Sequence, residues 1–245
     1  MVLGSFDGAF GRNGSATRPV LVAHFREGRW TARERSPPEN HEPSPFLRYR
    51  LPMSQELPPI VRAGHPALRV VARQLLAAEL QTDLFRKLVE VMVGVMRAAP
   101  GVGLAAPQLG LPLAMFVMED DETRLARLPP EDLARRERTP LPLTVLVNPE
   151  IVWMSDEQVT FAEGCLSVPG YAAQVPRARE VEVKGLGVGG EEIQLRLTGW
   201  PARIVQHEVD HLGGKLYIER MLSTSFTSTE AGTGSASVLD ELRET

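Results

Sequence analysis

The chain has 245 residues, of which 43% are hydrophobic and 24% are charged, and its formal net charge is -4. This composition supports a folded core and excludes a disordered chain, and the basic residues form no single-signed blocks that would bind nucleic acid directly. The single cysteine, Cys165, excludes an internal disulfide and fits a reducing compartment, and the apolar runs are too short to cross a membrane.

The first part of the chain, residues 1–59, is rich in glycine, proline and charge, and only the stretch VLVAHF near residue 22 resembles a strand. We therefore predict a low-order N-terminal extension over residues 1–59. Its start lacks the basic segment and apolar stretch of a secretory signal, so we place the protein in a bacterial cytoplasm. Arginines within residues 1–26 keep an organellar compartment open as the alternative.

Two helices are predicted after this extension. His65–Ala78 has a helical pattern that begins after a proline, and Asp83 is placed to cap a second helix that ends before Pro100-Gly101. Five apolar side chains fall on one face of the second helix, which predicts that this face is buried: Phe85, Leu88, Val89, Met92 and Met96.

Strands are predicted at residues 113–118, 143–152, 180–186 and 192–197, the last two joined as a hairpin through GVGG. The charged insertion 119–142 is expected to contain a surface turn of helix after its prolines. Helical periodicity returns in WPARIVQHEVDHL, and residues rich in Ser, Thr and Gly follow it. We expect residues 223–245 to form a flexible tail, which leaves residues 60–222 as the folded domain.

Two histidines four residues apart lie within QHEVDH, and an acidic residue stands between them. On a helix, His207 and His211 can aim two ring nitrogens at one divalent ion, and Glu208 then lies beside that ion. Glu208 would accept a proton from the attacking water and pass it to a leaving amine. The predicted fold is therefore α+β, with antiparallel or mixed β-sheets packed around a central metal-binding helix.

The third ligand decides the chemistry of such a site. In the zinc peptidases with an extended H-E-x-x-H-x-x-G-x-x-H motif the ligand would fall at Tyr217, and the glutamates Glu219 and Glu230 are poorly placed substitutes. Cys165, in AEGCLSVPG, is predicted to follow a strand and to precede a proline-glycine turn. A thiolate beside two imidazoles forms a Cys-His-His site with one open position, as expected for a catalytic ion.

The stretch GVGLAAPQLG, residues 101–110, lacks the ending of a phosphate-binding loop and the third glycine of a dinucleotide site. It could be an ordinary turn of small residues. Alternatively, Gly103 would let the backbone approach a bound peptide, and Gln108 would offer an amide donor to developing negative charge.

Three stretches, GVGLAAPQ, EGCLSV and QHEVDH, in that order, resemble the signature motifs of peptide deformylases. The similarity runs from Ile60 to Met221 and has features of the organellar-type branch. The resemblance implies an enzyme that removes the N-formyl group from the initiator methionine of nascent chains and releases formate. Its implied partners are the N-formyl-Met peptide and the ribosome, without direct nucleic acid or membrane contact.

The resemblance also assigns roles to particular residues. The implied ligands are Cys165, His207 and His211, which would hold Fe²⁺ or a substitute such as Zn²⁺, Ni²⁺ or Co²⁺. Glu208 is the implied general acid and base, and Gln108 and the backbone N–H of Leu166 are the implied oxyanion donors. The implied substrate-binding residues are Val102 and Gly103, which would pair with the peptide backbone, and Glu163, Trp200, Arg203 and Ile204, which would line the methionine pocket.

Two rival functions follow from the same residues. A zinc peptidase would need a third ligand other than cysteine and would cleave unformylated peptides. An inactive relative would bind nascent chains or ribosomes through residues 1–59. Metal stoichiometry measured together with formate release separates the three.

Overall fold

The computed structural model describes residues 57–99 and 101–229, together with the backbone of two strands near the N-terminus. These strands, β1 (Val20–Arg26) and β2 (Arg29–Arg35), pair as an antiparallel hairpin. The strand expected near residue 22 is thus confirmed, and its partner β2 was not predicted. The hairpin belongs to a unit separate from the residues after Leu51, and the rest of the predicted extension before Leu57 lies outside the described residues.

The larger sheet of the second unit is antiparallel and has five strands in the order β3-β4-β5-β8-β9. Its strands are β3 (Gly103–Ala105), β4 (Met115–Asp120), β5 (Leu141–Met154), β8 (Glu180–Leu186) and β9 (Glu192–Thr198). The four predicted strands correspond to β4, β5, β8 and β9, and the β8–β9 hairpin turns through residues 187–191, as predicted. The short strand β3 lies at the sheet edge because only β4 pairs with it.

A second, three-stranded antiparallel sheet has the order β10-β7-β6. It contains β6 (Gln158–Cys165), β7 (Val168–Ala178) and β10 (Thr227–Ser228). Cys165 is the last residue of β6, and the Pro169-Gly170 pair lies within β7 rather than in a turn. The tail boundary predicted at Ser223 is too early, because β10 pairs with Tyr171 and Ala172 of β7. Residues 230–245 lie outside the described residues.

Between these sheets and the surface, the long helix α2 (Asp83–Ala98) contacts β3 and β4. Its buried residues are Phe85, Leu88, Met92, Val95 and Met96. The predicted apolar face is therefore nearly correct, with Val89 only partly buried. The predicted cap is wrong by one position, because the hydroxyl of Thr82 accepts the Phe85 N–H at 3.2 Å while Asp83 is already helical.

The helix predicted over His65–Ala78 is not formed. That stretch contains a single 3₁₀ turn, Pro66–Leu68, and the beginning of the one-turn helix α1 (Ala77–Leu80). Between them the backbone bonds to distant parts of the chain: the Ala72 N–H donates to the Leu212 carbonyl at 2.8 Å, and the Leu75 N–H donates to Asn148 Oδ1 at 2.8 Å. These tertiary hydrogen bonds replace the helical ones, so local periodicity was a poor guide here.

The insertion 119–142 contains two short helices, α3 (Glu122–Leu125) and α4 (Pro130–Arg135). The predicted turn of helix after the prolines is α4. A side-chain bond fixes α3 to the rest of the domain, because Arg124 Nη1 donates to the Gly101 carbonyl at 2.7 Å. The insertion is therefore attached beside the segment that leads into β3.

The helix α5 (Trp200–Leu212) contacts strands of both sheets. Its apolar residues Ala202, Ile204, Val205 and Leu212 pack with sheet residues such as Phe116, Leu146 and Val181 in one buried cluster. The structure therefore has antiparallel sheets with a few helices, in agreement with the coarse α+β prediction. None of the helices in the described part of the chain has the length and apolar character that a membrane crossing requires.

Candidate metal centre

Three side chains with metal-binding atoms come together where β6 ends beside α5. The nitrogen and sulfur ligand atoms of Cys165, His207 and His211 all lie within 4.8 Å of one another. Two of them are 3.3 Å apart, the Sγ of Cys165 and the Nε2 of His211. The histidines converge because they are one helical turn apart on α5, and the thiol converges because the chain turns directly after Cys165.

The two imidazoles are oriented differently. His207 Nδ1 lies 3.0 Å from Glu163 Oε2, which leaves its Nε2 as the nitrogen available to a ligand. His211 is only 1% exposed, and its Nδ1 finds no hydrogen-bond partner among the described residues. Its other ring nitrogen, Nε2, lies 3.3 Å from the Cys165 sulfur and is therefore the His211 atom available to a metal ion.

The electrostatics of the cluster also favour a cation. Burial lowers the pKa of His211 well below its usual value, which keeps the ring neutral, as a metal ligand must be. For His207, burial opposes protonation, but hydrogen bonds to Cys165 and Glu163 outweigh it and raise the pKa well above the ordinary value. The neighbouring thiol and carboxylate therefore favour positive charge at this place, which a divalent cation would supply. The residues present fit a metal ion.

Glu208 follows His207 on α5 and is 4% exposed. Its Oε2 is buried and makes no hydrogen bond within the described ranges. Burial raises the pKa of this carboxyl group to about 7, which suits a group that must both accept and release a proton near neutral pH. The carboxylate lies against β3, where a Cβ built on Gly103 would overlap its Oε1 and come within 2.8 Å of its Cδ.

Gln108 lies on the other side of the thiol. It is 2% exposed, its Oε1 accepts the Ala105 N–H at 2.9 Å, and its Nε2 is then directed toward Cys165 Sγ at 3.7 Å. Leu166, whose backbone N–H was expected to act with Gln108, directly follows Cys165 in the chain. Leu166 and Gln108 border one cleft, which is described below. Ser167, which sequence reasoning missed, donates its backbone N–H to the Cys165 sulfur at 3.4 Å.

A cleft of about 570 Å³ opens onto this cluster. The cleft wall includes every residue expected to bind substrate, namely Val102, Gly103, Glu163, Trp200, Arg203 and Ile204. Cys165, His207, Glu208 and Gln108 also border it, whereas His211 lies behind them and is buried. The structure thus brings the predicted residues to one place, although they come from three separate segments of the chain.

The structure adds a network of buried charges that the sequence reasoning did not assemble. Arg177 donates to Glu163 Oε2 at 2.9 Å and to Asp210 Oδ2 at 2.5 Å, and Arg220 donates to the same Asp210 oxygen at 2.6 Å. Burial would raise the pKa of Glu163, but hydrogen bonds from His207 and Arg177 hold it well below its usual range. The charged Asp210 within the motif was a visible signal, because a buried carboxylate requires a cationic partner.

Of the two rival glutamates, Glu219 lies in the described residues and is not part of the cluster. Glu219 lies in a 3₁₀ turn, Tyr217–Glu219, and forms an ion pair with Arg69. Glu230 lies outside the described residues. A thiol, two imidazoles and an adjacent buried carboxylate beside an open cleft define the class of site as that of a metal-dependent hydrolase.

Comparison with known proteins identifies the family. A family model described as polypeptide deformylase matches residues 57–226. The chloroplastic peptide deformylase 1A of Solanum lycopersicum is 43% identical over 185 residues, which are 76% of this chain and 67% of that protein. The mitochondrial peptide deformylase of Homo sapiens is 41% identical over 182 residues, which are 73% of this chain and 75% of that protein.

A solved structure agrees with these relatives. The Met-Ala-Ser-bound class I type b peptide deformylase from Acinetobacter baumannii matches with a TM-score of 0.61 and 36% identity, over 69% of this chain and 100% of that one. The chain therefore belongs to the peptide deformylase family, whose members are metal-dependent enzymes that deformylate nascent chains. The resemblance inferred from the three motifs is confirmed.

Proposed function

We propose that this chain removes the N-formyl group from the initiator methionine of nascent polypeptides and releases formate. The observation that carries the proposal is the convergence of the Cys165 thiol and the His207 and His211 imidazoles within 4.8 Å of one another, with Glu208 beside them. Membership of the peptide deformylase family supports the same reaction.

Cys165, His207 and His211 would hold one divalent ion. We propose Fe²⁺, with Zn²⁺, Ni²⁺ or Co²⁺ as substitutes, because a Cys-His-His donor set accepts several first-row ions and availability selects among them. When bound, such an ion supplies Lewis-acid polarisation of the formyl carbonyl and lowers the pKa of water. The central helix of the α+β fold, α5, would then be the metal-binding helix.

The protein's own groups carry the proton and stabilise the charge that develops. Glu208 accepts a proton from the water that attacks the formyl carbon, and its pKa of about 7 suits this role. Gln108 Nε2 and the Leu166 N–H donate hydrogen bonds to the oxyanion as the carbonyl becomes tetrahedral. The C–N bond then breaks, and Glu208 returns its proton to the methionine nitrogen. The products are formate and a free amine.

Substrate binding would use an edge strand and an apolar pocket. Because β4 is its only partner in the sheet, β3 can pair with an extended peptide along Val102 and Gly103. Glu163 and Arg203 neutralise each other at 2.6 Å, which leaves Trp200 and Ile204 as the apolar surface for a methionine side chain. The Met-Ala-Ser complex of the Acinetobacter relative supports a peptide in this cleft.

Three further proposals concern the setting of the reaction. The catalytic domain would be residues 57–229 rather than the predicted 60–222, because the strand β10 pairs with β7. The nascent chain would be presented on the ribosome. The compartment would be an organelle rather than the bacterial cytoplasm, because the two relatives named above are chloroplastic and mitochondrial.

The test is the Glu208→Gln variant, which keeps the shape of the side chain but removes the proton acceptor. We expect it to bind one divalent ion per chain, as the unaltered protein does, and to lose at least about 100-fold in formate release from formyl-Met-Ala-Ser, as expected for the loss of a general base. The Glu131→Gln variant, on the surface helix α4, should keep full activity. Undiminished formate release by Glu208→Gln would contradict the proposal.

The same assay addresses the rivals. A zinc peptidase would cleave unformylated Met-Ala-Ser, whereas the proposed enzyme leaves that peptide intact. An inactive relative would release no formate even with one bound ion per chain.

A further inference from the structure

Arg203 is a buried arginine one helical turn before His207 on α5, and it is only 2% exposed. Its guanidinium group donates hydrogen bonds to residues of two strands. Nη1 donates to Glu163 Oε1 at 2.6 Å and to the Val175 carbonyl at 2.8 Å, and Nη2 donates to the Val159 carbonyl at 2.6 Å. Since Glu163 and Val159 belong to β6 and Val175 to β7, one side chain ties α5 to both strands of this hairpin.

The β6–β7 hairpin and α5 are the two elements that carry the ligand atoms. Cys165 ends β6, and both histidines lie on α5. The relative position of these elements therefore sets the distances among the three donors. The bonds made by Arg203 lie between the two elements, on the face of α5 that carries His207 one turn later.

Arg203 also fixes the carboxylate that orients a ligand. Glu163 Oε1 accepts from Arg203 Nη1 at 2.6 Å and from Arg177 Nε at 3.0 Å, and Oε2 accepts from Arg177 Nη2 and lies 3.0 Å from His207 Nδ1. With both oxygens bound to guanidinium groups, the carboxylate cannot rotate away from His207. The ring is then held with Nε2 free, and outer partners of this kind set ligand orientation and metal affinity.

The arginine is suited to this position by its shape. Its planar fork reaches a carboxylate and two carbonyls at once, which the single ammonium of lysine could not do with the same geometry. The guanidinium carbon also lies 5.3 Å from the centre of the Phe161 ring and 5.9 Å from that of Trp200, so aromatic rings border the group.

We propose that Arg203 is a positioning residue of the metal centre. It holds the Glu163 carboxylate against His207 and joins α5 to the β6–β7 hairpin, so that the thiol and the two imidazoles are set at the spacing for one divalent ion before the ion binds. The inference rests on the proposed function and goes beyond it, because it gives Arg203 a role in positioning the metal ligands in addition to its place in the wall of the methionine pocket.

The test compares Arg203→Met and Arg203→Lys with Arg138→Met. Arg138 is a suitable control because it is also largely buried, forms an ion pair with Asp120 and lies 5.2 Å from the Trp200 ring, yet makes no bond to Glu163. The readout is the affinity for Zn²⁺ and Co²⁺, measured by competition with a chromophoric chelator. Urea unfolding of the metal-free proteins reports whether each variant is folded.

We expect Arg203→Met to bind either ion about 10–100-fold more weakly than the unaltered protein, the range observed when an outer partner of a ligand is removed. Arg203→Lys should be intermediate, and Arg138→Met should stay within about threefold, since it keeps every outer partner. The visible absorption of the Co²⁺-loaded Arg203→Met protein should also change, because it reports ligand geometry.

The outcomes separate this inference from the proposed function. Unaltered protein that binds no divalent ion would overturn both. Normal metal binding by a folded Arg203→Met protein would overturn the inference alone. If that variant also had a raised KM for formyl peptide, Arg203 would contribute to substrate binding instead. Loss of the fold in both Arg203 variants without metal would also overturn it, because the role would then be structural.

Discussion

Gly103 of β3 lies directly against the side chain of Glu208 on α5. A Cβ on Gly103 would overlap Glu208 Oε1 and lie within 3.0 Å of both Cδ and Cγ. Its backbone is not in the left-handed region, so a side chain is excluded here by space rather than by conformation. Sequence reasoning expected glycine at this position to admit a peptide, and the structure shows that it also admits the carboxylate.

The Gly103→Ala variant should therefore lower kcat for formyl-Met-Ala-Ser by about 100-fold, since a displacement of about 1 Å at a catalytic group has an effect of that size. Gly94→Ala is the matched control, because its new Cβ would meet only the flexible end of Leu57, at 3.1 Å. The measurement is steady-state formate release. A Gly103→Ala variant with unchanged kcat and a raised KM would show that Gly103 affects only the binding of the peptide.

At the scale of single residues, sequence reasoning succeeded where a motif fixes the local geometry. Residues four positions apart lie on the same face of a helix, so the spacing of His207 and His211 was enough to place them together. Cys165 was the one thiol in the sequence that could join them. The outer partners could not be found in the same way. Arg177 and Arg203 are identified only by the carboxylate that they share, and their contacts join residues 14 and 40 positions apart in the chain.

At the scale of elements, the N-terminus of α2 differs from its prediction by one residue. The sequence favoured Asp83 as the cap, whereas the structure assigns that role to Thr82, which also donates its hydroxyl to the Glu79 carbonyl at 2.7 Å. Both residue types are good caps, so the pattern alone could not choose between neighbours. The preceding helix decides it, because α1 ends at Leu80 and only Gln81 separates it from Thr82.

We expect Thr82→Ala to lower the free energy of unfolding by about 1 kcal/mol, the typical loss for a capping residue. Thr82→Ser should retain the cap. Asp83→Ala should have a smaller effect, because that side chain is 99% exposed and pairs only with Arg86. Urea denaturation measures all three. A larger loss for Asp83→Ala than for Thr82→Ala would restore the original prediction of the cap.

Elements defined by local hydrogen bonds were predicted well, and those defined by distant contacts were not. The β8–β9 hairpin closes through a short glycine-rich turn, so its two strands could be located from sequence. Residues 72–75 show the opposite case, since three of their N–H groups donate to the distant residues Leu212, Pro112 and Asn148. The strand β10 could not be foreseen either, because its two residues become a strand only by pairing with β7.

At the scale of the whole molecule, the described residues 57–99 and 101–229 contain both sheets of the second unit and every residue assigned to the site. Residues 223–229 complete the smaller sheet: Ser225 Oγ accepts the Gln174 N–H at 2.8 Å, and the Thr229 N–H donates to the Gly170 carbonyl at 2.9 Å. Phe226 also stacks on Tyr171 with ring centres 5.0 Å apart. The segment after Leu222 therefore supports the strand that lies beside Cys165.

A chain of residues 57–229 should consequently fold and release formate from formyl-Met-Ala-Ser at a rate close to that of the full chain. A chain of residues 57–222 should be less stable by at least about 1 kcal/mol, since loss of the aromatic pair alone has an effect of that order. Urea unfolding and formate release measure the two quantities. An inactive but folded 57–229 chain would mean that residues before Leu57 or after Thr229 contribute to the site. Equal stability of the two chains would mean that β10 does not stabilise the β6–β7 hairpin.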